Sequence, residues 1–94
     1  MNEKVKILQD LLKERINAGH IERWKKVEVH TFENAPERYH RELICKPGEC
    51  VIRWNGRKRN GIHDEEFRIF PLAEIDNLIT RNKERFKNER PIYR

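Results

Sequence analysis

The apolar residues of this chain change their spacing twice, and that change constrains the fold more than any other feature. Near the N-terminus they recur every three or four positions, which is the spacing of one face of an α-helix. Charged residues fill the opposite side, and Gly19 supplies a stop signal because glycine tolerates the left-handed conformation of a helix C-cap. We therefore expect a helix over about residues 3–17. Its apolar face comprises Val5, Leu8, Leu12 and Ile16.

From Trp24 onward apolar and polar residues alternate, which is typical of a β-strand with one buried face. The run WKKVEVHTF places Val27, Val29 and Thr31 on one side. Farther along, EEFRIF has the character of a strand that ends at Pro71. The segment ENAPERYH is expected to form a loop or a single helical turn.

Two further strands are predicted around the Pro-Gly pair at 47–48. If this pair forms the tip of a hairpin, Cys45 faces Cys50 across it. The same register places Glu42 opposite Arg53, so one face carries opposite-charge cross-strand pairs. The other face is wholly apolar and comprises Leu43, Cys45, Cys50, Ile52 and Trp54.

Helical spacing returns at Leu72 and continues to about Lys87, with Asn82 as one polar residue in the apolar arc. The element order is therefore α-β-β-β-β-α, which predicts an α+β fold with an antiparallel sheet of about four strands flanked by two terminal helices. The length suits a single domain over residues 1–94. Its parts are an N-terminal helix in 1–18, an antiparallel meander in 24–70, a C-terminal helix in 72–88 and a tail in 89–94.

Both cysteines lie in the stretch CKPGEC, as Cys45 and Cys50. Three interpretations stay open. Two buried, reduced thiols would act as small hydrophobic side chains. A cross-strand disulfide fits the distance between opposed strand residues, although it would constrain only a short loop. A zinc site would need about four ligands, and His63 is the further candidate beside the two thiols.

The composition excludes several classes of function. The chain contains no serine, so a serine nucleophile is excluded. The N-terminal run interleaves charges with apolar residues, unlike a signal peptide, and no stretch has the length of a membrane span. We therefore expect a cytoplasmic protein with no membrane partner and no cofactor, and a binding role rather than an enzymatic one.

Positive charge is concentrated in two segments. Residues 53–59 and residues 81–94 each carry a net charge of +4, whereas the whole chain carries +5, so the remainder is net negative. This asymmetry indicates an anionic partner. We expect a small basic protein that binds DNA or RNA through phosphate contacts from the 53–59 loop and the C-terminal helix. The residues predicted to bind nucleic acid are Arg53, Arg57, Lys58, Arg59, Arg68, Arg81 and Arg85.

Trp54 stands beside the first basic segment and offers a ring on which a base could stack. The predicted hairpin register, however, turns Trp54 toward the apolar face, where core packing is the simpler role. The nucleic-acid hypothesis therefore depends on how much of this ring the fold leaves accessible.

A second hypothesis is a protein-interaction or regulatory role, as in phage-type and accessory proteins. Such a protein docks on an acidic protein surface or on a second copy of itself. The outer face of the predicted hairpin would supply the apolar patch, formed by Phe32, Ile44 and Val51 if they are exposed.

A third hypothesis is a metal-independent ribonuclease. His40 and Glu42 would share one hairpin arm with Arg53 opposite, so a general acid, a general base and a phosphate clamp could converge there. The simpler interpretation of the same residues is a surface salt bridge between Glu42 and Arg53, beside a histidine that begins a strand.

Overall fold

A computed structural model describes residues 2–57 and 60–88 of the chain. It contains a three-stranded antiparallel sheet in the order β1-β2-β3 and helices at both ends of the chain. The α+β class is confirmed, but the expectation of about four strands is not confirmed, because three strands form within the described residues. In chain order the elements are α1 (Glu3–Asn17), β1 (Lys26–Thr31), α2 (Glu37–Arg41), β2 (Glu49–Arg57), β3 (His63–Pro71), a 3-10 turn (Leu72–Glu74) and α3 (Ile75–Asn88).

Both terminal helices pack on the same face of the sheet, as the amphipathic patterns predict. The main core lies between this face and the apolar sides of α1 and α3. Gly19, at φ 81°, follows the last turn of α1, and the His20 amide donates a hydrogen bond back to the Arg15 carbonyl at 2.9 Å. The buried residues of this core are Val5, Leu8, Leu12, Val27, Val29, Cys50, Ile52, Phe70, Ile75 and Ile79.

A second, smaller apolar cluster covers the opposite face of the sheet. Val51 of β2 is fully buried there, beneath Tyr39 of α2 and Cys45 of the segment that follows α2. The chain between β1 and β2 thus returns over the sheet as a cover and does not extend it. The predicted outer patch of Phe32, Ile44 and Val51 is consequently not an exposed surface, since Val51 is inaccessible and the other two side chains are half-buried against the same cluster.

The predicted hairpin at residues 42–53 does not form, because the backbone of its first arm closes helix α2 instead. The Ile44 amide donates to the Tyr39 carbonyl at 2.9 Å and the Leu43 amide to the His40 carbonyl at 3.3 Å, the two hydrogen bonds of a Schellman motif. This motif needs a left-handed residue after the cap, and Leu43 adopts φ 55°. Leu43 is 79% exposed, so its predicted place in the core is wrong.

The Pro-Gly turn itself is present, although its flanking arms do not pair. Gly48 has φ 83°, and the Glu49 amide donates to the Lys46 carbonyl at 3.0 Å, as expected for a four-residue turn with glycine in its third position. Beyond the turn β2 pairs with β1 and β3, so Cys50 faces Thr31 and Phe70 and does not face Cys45. The long ladders that β2 forms with β1 and β3 replace the short hairpin predicted around the turn.

An Asn-Gly pair is a common turn signal, but the pair Asn55-Gly56 lies inside β2. A Cβ atom at Gly56 would stand 2.7 Å from the Arg23 carbonyl oxygen and 3.3 Å from Cε3 of Trp24. The Lys25 amide also donates to the Asn55 carbonyl at 2.8 Å. Glycine at this position therefore allows the segment before β1 to cross β2 closely, and this contact positions Trp24.

Replacing Leu43 by asparagine or glycine is expected to stabilise the fold by about 0.5–1 kcal/mol, because both residues adopt the left-handed conformation more readily than leucine does. Little apolar burial is lost at so exposed a site. Leu43→Ala is the matched control, since it removes the exposed side chain but retains a Cβ, and it should leave the free energy of unfolding nearly unchanged. Urea unfolding measures the stability of all three variants. Equal stability of the asparagine and alanine variants would show that the left-handed conformation at this position is not strained.

Gly56→Ala is expected to destabilise the fold by about 1–3 kcal/mol through overpacking against the Arg23 backbone, although alanine normally suits a strand better than glycine. Gly61→Asn serves as the control because Gly61, at φ 83°, has no neighbouring atom that a Cβ would meet. It should stay within about 0.5 kcal/mol of the parent protein in the same urea experiment. A stabilised Gly56→Ala variant would show that Arg23 does not approach β2 so closely.

Candidate functional site

A cleft of about 340 Å³ lies where the C-terminal half of α3 stands over the core face of β2 and β3. The end of α1 and the segment before β1 close its rear. Its lining includes six side chains that could contact a ligand: Trp24, Trp54, Glu66, Arg68, Arg81 and Arg85. Four of these six come from strands β2 and β3 or from the segment before β1 that lies against them, and the other two come from the helix.

Three arginines that the sequence predicts to bind nucleic acid meet at this cleft. Arg68 lies on β3 opposite Ile52, on the core face of the sheet. Arg81 and Arg85 are four residues apart on α3 and therefore share one side of the helix. All three side chains are exposed, and within the described part of the chain none of them forms an ion pair. Their charges are therefore available to a ligand.

Two tryptophans form the aromatic part of the lining. The rings of Trp24 and Trp54 are nearly parallel, with centroids 6.5 Å apart and an interplanar angle of 27°. Trp24 is 6% exposed, and the guanidinium of Arg23 lies 4.5 Å from its ring centroid. Trp54 is half-buried at the rim of the core, so part of its ring remains accessible. The sequence predicted Trp54 on the core face but gave no role to Trp24, whose position depends on the close crossing at Gly56.

A buried polar contact joins the two helices behind the cleft. Nη1 of Arg15, on α1, donates to Oδ1 of Asn82, on α3, at 2.8 Å, and both side chains are buried. Nδ2 of Asn82 donates in turn to the Leu78 carbonyl at 2.8 Å. Asn82, the polar exception in the apolar arc of the C-terminal helix, thus partners a buried guanidinium. A buried polar group without such a partner would cost about 1–3 kcal/mol.

Arg53, also predicted to bind nucleic acid, lies on the opposite face of the sheet and is not part of the cleft. Its Nε donates to Oε2 of Glu65 at 2.8 Å, and its Nη1 lies 3.3 Å from Oε2 of Glu28. Burial lowers the pKa of Arg53, but the hydrogen bond and charge of Glu65 outweigh burial and leave the pKa above its ordinary value. Two carboxylates neutralise this guanidinium, so it is a poor ligand for a phosphate.

The ion pairs around Arg53 continue into helix α2. Nη2 of Arg38 donates to Oε1 of Glu65 at 2.9 Å, so this carboxylate is shared by two arginines. Burial raises the pKa of Glu65, but the hydrogen bonds from Arg53 and Arg38 outweigh it and hold the pKa below its ordinary range. Burial also raises the pKa of Tyr39, which packs edge-on against Phe67 with ring centroids 5.2 Å apart. These contacts attach α2 to the sheet.

The residues proposed for a ribonuclease site do not come together. Nε2 of His40 lies 2.6 Å from the Phe32 carbonyl, Glu42 pairs with Arg38 at 3.2 Å, and Arg53 is held by two other carboxylates. The predicted cross-strand pair of Glu42 and Arg53 is therefore wrong. It required the hairpin that helix α2 and its C-terminal cap replace.

The first basic segment is only partly described. Arg57 ends β2 opposite His63, beside Lys25 and Lys26 and outside the cleft. Lys58 and Arg59 lie outside the described residues, as does the predicted tail at 89–94. The 53–59 stretch is in large part strand, because β2 extends to Arg57.

Both cysteines are free and buried. Burial raises the pKa of Cys50 to about 11, and it also raises the pKa of Cys45, whose thiol donates to the Glu49 carbonyl at 3.4 Å. His63, the third candidate zinc ligand, lies at the opposite end of β2 from Cys50. Among residues 2–57 and 60–88, no three His, Cys, Asp or Glu side chains are grouped so that they could hold a metal ion.

None of the described helices is both long enough and apolar enough to cross a bilayer. Comparisons with protein-family models, with curated protein sequences and with solved structures give no match for this chain. Any assignment of function therefore has to come from the chemistry of the chain itself.

Glu65→Gln is expected to destabilise the fold by about 1–2 kcal/mol at neutral pH, because it weakens two charge-assisted hydrogen bonds at a partly screened site. Since the folded-state pKa of Glu65 is lowered, its contribution is fully present above the unfolded pKa of about 4.3 and is lost as the pH falls through the folded value. The variant should lose stability less steeply between neutral and acidic pH than the parent does. Chemical unfolding at several pH values measures this.

Glu66→Gln is the control for the unfolding measurements. Glu66 is the next residue of β3 after Glu65, but its side chain points to the other face of the sheet. The control should retain the acid dependence of the parent. An equal effect of the two substitutions would contradict the assignment of the acid sensitivity to Glu65.

Proposed function

We propose that the protein binds nucleic acid in the cleft between α3 and the sheet, with Arg68, Arg81 and Arg85 as phosphate ligands. One observation carries this proposal: three predicted phosphate-binding arginines line a single cleft and form no ion pair with any described residue. Arg53, Arg38 and Arg23, in contrast, each pair with a carboxylate. The chain thus distinguishes arginines that stabilise the fold from arginines that remain available.

The cleft combines the two features that single-stranded nucleic acid needs. Guanidinium groups neutralise phosphates and release the counterions around them, which makes binding sensitive to salt. An accessible aromatic ring stacks with a base, and this contact tolerates any base because each has a π face. Trp54 supplies that ring, and Arg68 on the strand and Arg81 and Arg85 on the helix line the same cleft.

The cleft also limits how the ligand can bind. At about 340 Å³ it lies at the low end of the volumes of ligand-binding clefts, so it suits one nucleotide unit rather than the width of a duplex. Bases within a duplex are stacked and paired, whereas unpaired bases can turn outward onto an aromatic side chain. We therefore place DNA or RNA with unpaired bases as the ligand, with phosphates held at the rim.

The triple variant with Arg68, Arg81 and Arg85 changed to alanine is expected to bind a labelled oligo-dT at least about tenfold more weakly at low salt, because three phosphate contacts are removed. For single strands the log-log salt slope changes by about 0.7 per contact, so it should fall by about two units. Fluorescence anisotropy at several salt concentrations measures both quantities. A parent protein that does not bind at low salt would overturn the proposal.

A second triple variant provides the matched control. Lys6, Arg41 and Lys46 are exposed and lie outside the cleft. Their change to alanine also removes three positive charges, so the net charge of the two triple variants is equal. The control variant should bind oligo-dT nearly as tightly as the parent protein does, with nearly the same salt slope. Equal losses in the two triple variants would show attraction by net charge alone and would refute a cleft site.

A further inference from the structure

One acidic side chain, Glu66, stands among the described residues that line the cleft. It lies directly opposite Trp54 in the ladder between β2 and β3, and Arg68 follows two residues later on the same face. Side chains opposed in an antiparallel ladder have Cβ atoms about 4.5–5.5 Å apart. The carboxylate of Glu66 is therefore next to the indole ring on which a base would stack.

The carboxylate of Glu66 is exposed and makes no hydrogen bond or ion pair with any described residue. Its neighbour Glu65 points to the other face and is held by two arginines, so the two glutamates have different surroundings. A free carboxylate in a cleft for phosphates repels the backbone of the ligand. It favours binding only if the ligand brings hydrogen-bond donors to it, since an ionised carboxylate accepts and never donates.

The common bases differ in the donors that they present on the Watson-Crick edge. Guanine offers two adjacent N–H donors, the ring N1–H and the exocyclic N2 amino group, which match the two oxygens of a carboxylate. Adenine and cytosine place an acceptor ring nitrogen next to their amino group, and thymine and uracil flank one N–H with two carbonyl oxygens. A carboxylate at that edge attracts guanine and repels part of the edge of every other base.

We propose that the cleft selects guanine, with the base stacked on Trp54 and its Watson-Crick edge hydrogen-bonded to the carboxylate of Glu66. Arg81 and Arg85, across the cleft on α3, then hold the phosphates beside this nucleotide. This inference rests on the proposed binding of nucleic acid and adds the base that it recognises. The base must be unpaired, because pairing occupies the edge that Glu66 reads.

The test compares oligo-dT strands of equal length that carry one central substitution: guanine, hypoxanthine, adenine, cytosine or none. Hypoxanthine lacks the N2 amino group and therefore loses one of the two donors. A bidentate contact to a base discriminates by about 1–3 kcal/mol, so we expect guanine to raise the affinity about tenfold over the unsubstituted strand. Hypoxanthine should be intermediate, and adenine and cytosine should give no gain.

Glu66→Gln and Glu66→Ala test the residue itself. Both should lose the preference for guanine and should bind the unsubstituted strand more tightly than the parent does, because the repulsion of phosphates is removed. Glu84→Gln, an exposed carboxylate on α3 outside the cleft lining, removes the same charge and should retain the preference. Thermal unfolding of each variant verifies that the fold is intact.

The possible failures are distinguishable. Equal, salt-dependent affinity for all five strands would overturn the selection of guanine while leaving the proposed function in place. A preference for guanine that persists in Glu66→Ala would show that another group reads the base and would also overturn the inference. No binding of any strand by the parent at low salt would overturn both the inference and the proposed function.

Discussion

Strand β2 is hydrogen-bonded on both sides, so its side chains have to be accommodated on two faces of the sheet at once. The pleat sends Trp54 to the face covered by α1 and α3, and it sends Arg53 to the face covered by α2. On the α2 face, acidic side chains from β1 and β3 meet the arginine and neutralise it. On the other face, an aromatic ring meets arginines without carboxylate partners among the described residues. Two adjacent residues of β2 thus face different surroundings: arginines that are paired with carboxylates lie on one face, and arginines without such partners lie on the other.

Helix α3 packs mainly on α1. The buried hydrogen bond between Arg15 and Asn82 joins the two helices, and the second half of α3 stands over β3 with a gap beneath it. An apolar residue in place of Asn82 would complete the hydrophobic arc of α3 but would remove the oxygen that accepts a hydrogen bond from Nη1 of Arg15. The polar exception in an otherwise apolar helix face therefore joins the two helices at the cleft that both of them line.

The spacing of apolar residues predicts those helices and strands whose buried face is defined by their own sequence. Helix α1 has the expected bounds, the buried face of β1 is the expected one, and the division of β2 into core and outer positions also agrees. The hairpin at 42–53 is wrong because its alternation suits two structures equally well. The local energies of a cap at Leu43 and of long ladders between β2 and its neighbours, which decide the outcome, are not visible in the spacing of apolar residues.

The candidate site shows the same limit at the level of single side chains. Arg68, Arg81 and Arg85 could be named from charge alone, but so could Arg53, which differs because it lies on the other face of the sheet between two carboxylates. Trp24 enters the cleft because Gly56 allows the backbone of Arg23 to cross β2, a contact with no local sequence pattern beyond the glycine itself. Glu66 faces Trp54 for the same reason of register.

Net charge is therefore a poor guide to where this chain would hold an anion. Four described arginines of the predicted set form no ion pair within the described residues. Arg57 ends β2 outside the cleft, whereas Arg68, Arg81 and Arg85 belong to β3 and α3 and line it. Surface charges that are close together and unpaired repel one another and oppose folding slightly. Binding of an anion in the cleft, as proposed, would relieve that cost, so the same arrangement that gains nothing for the free protein would favour the bound state.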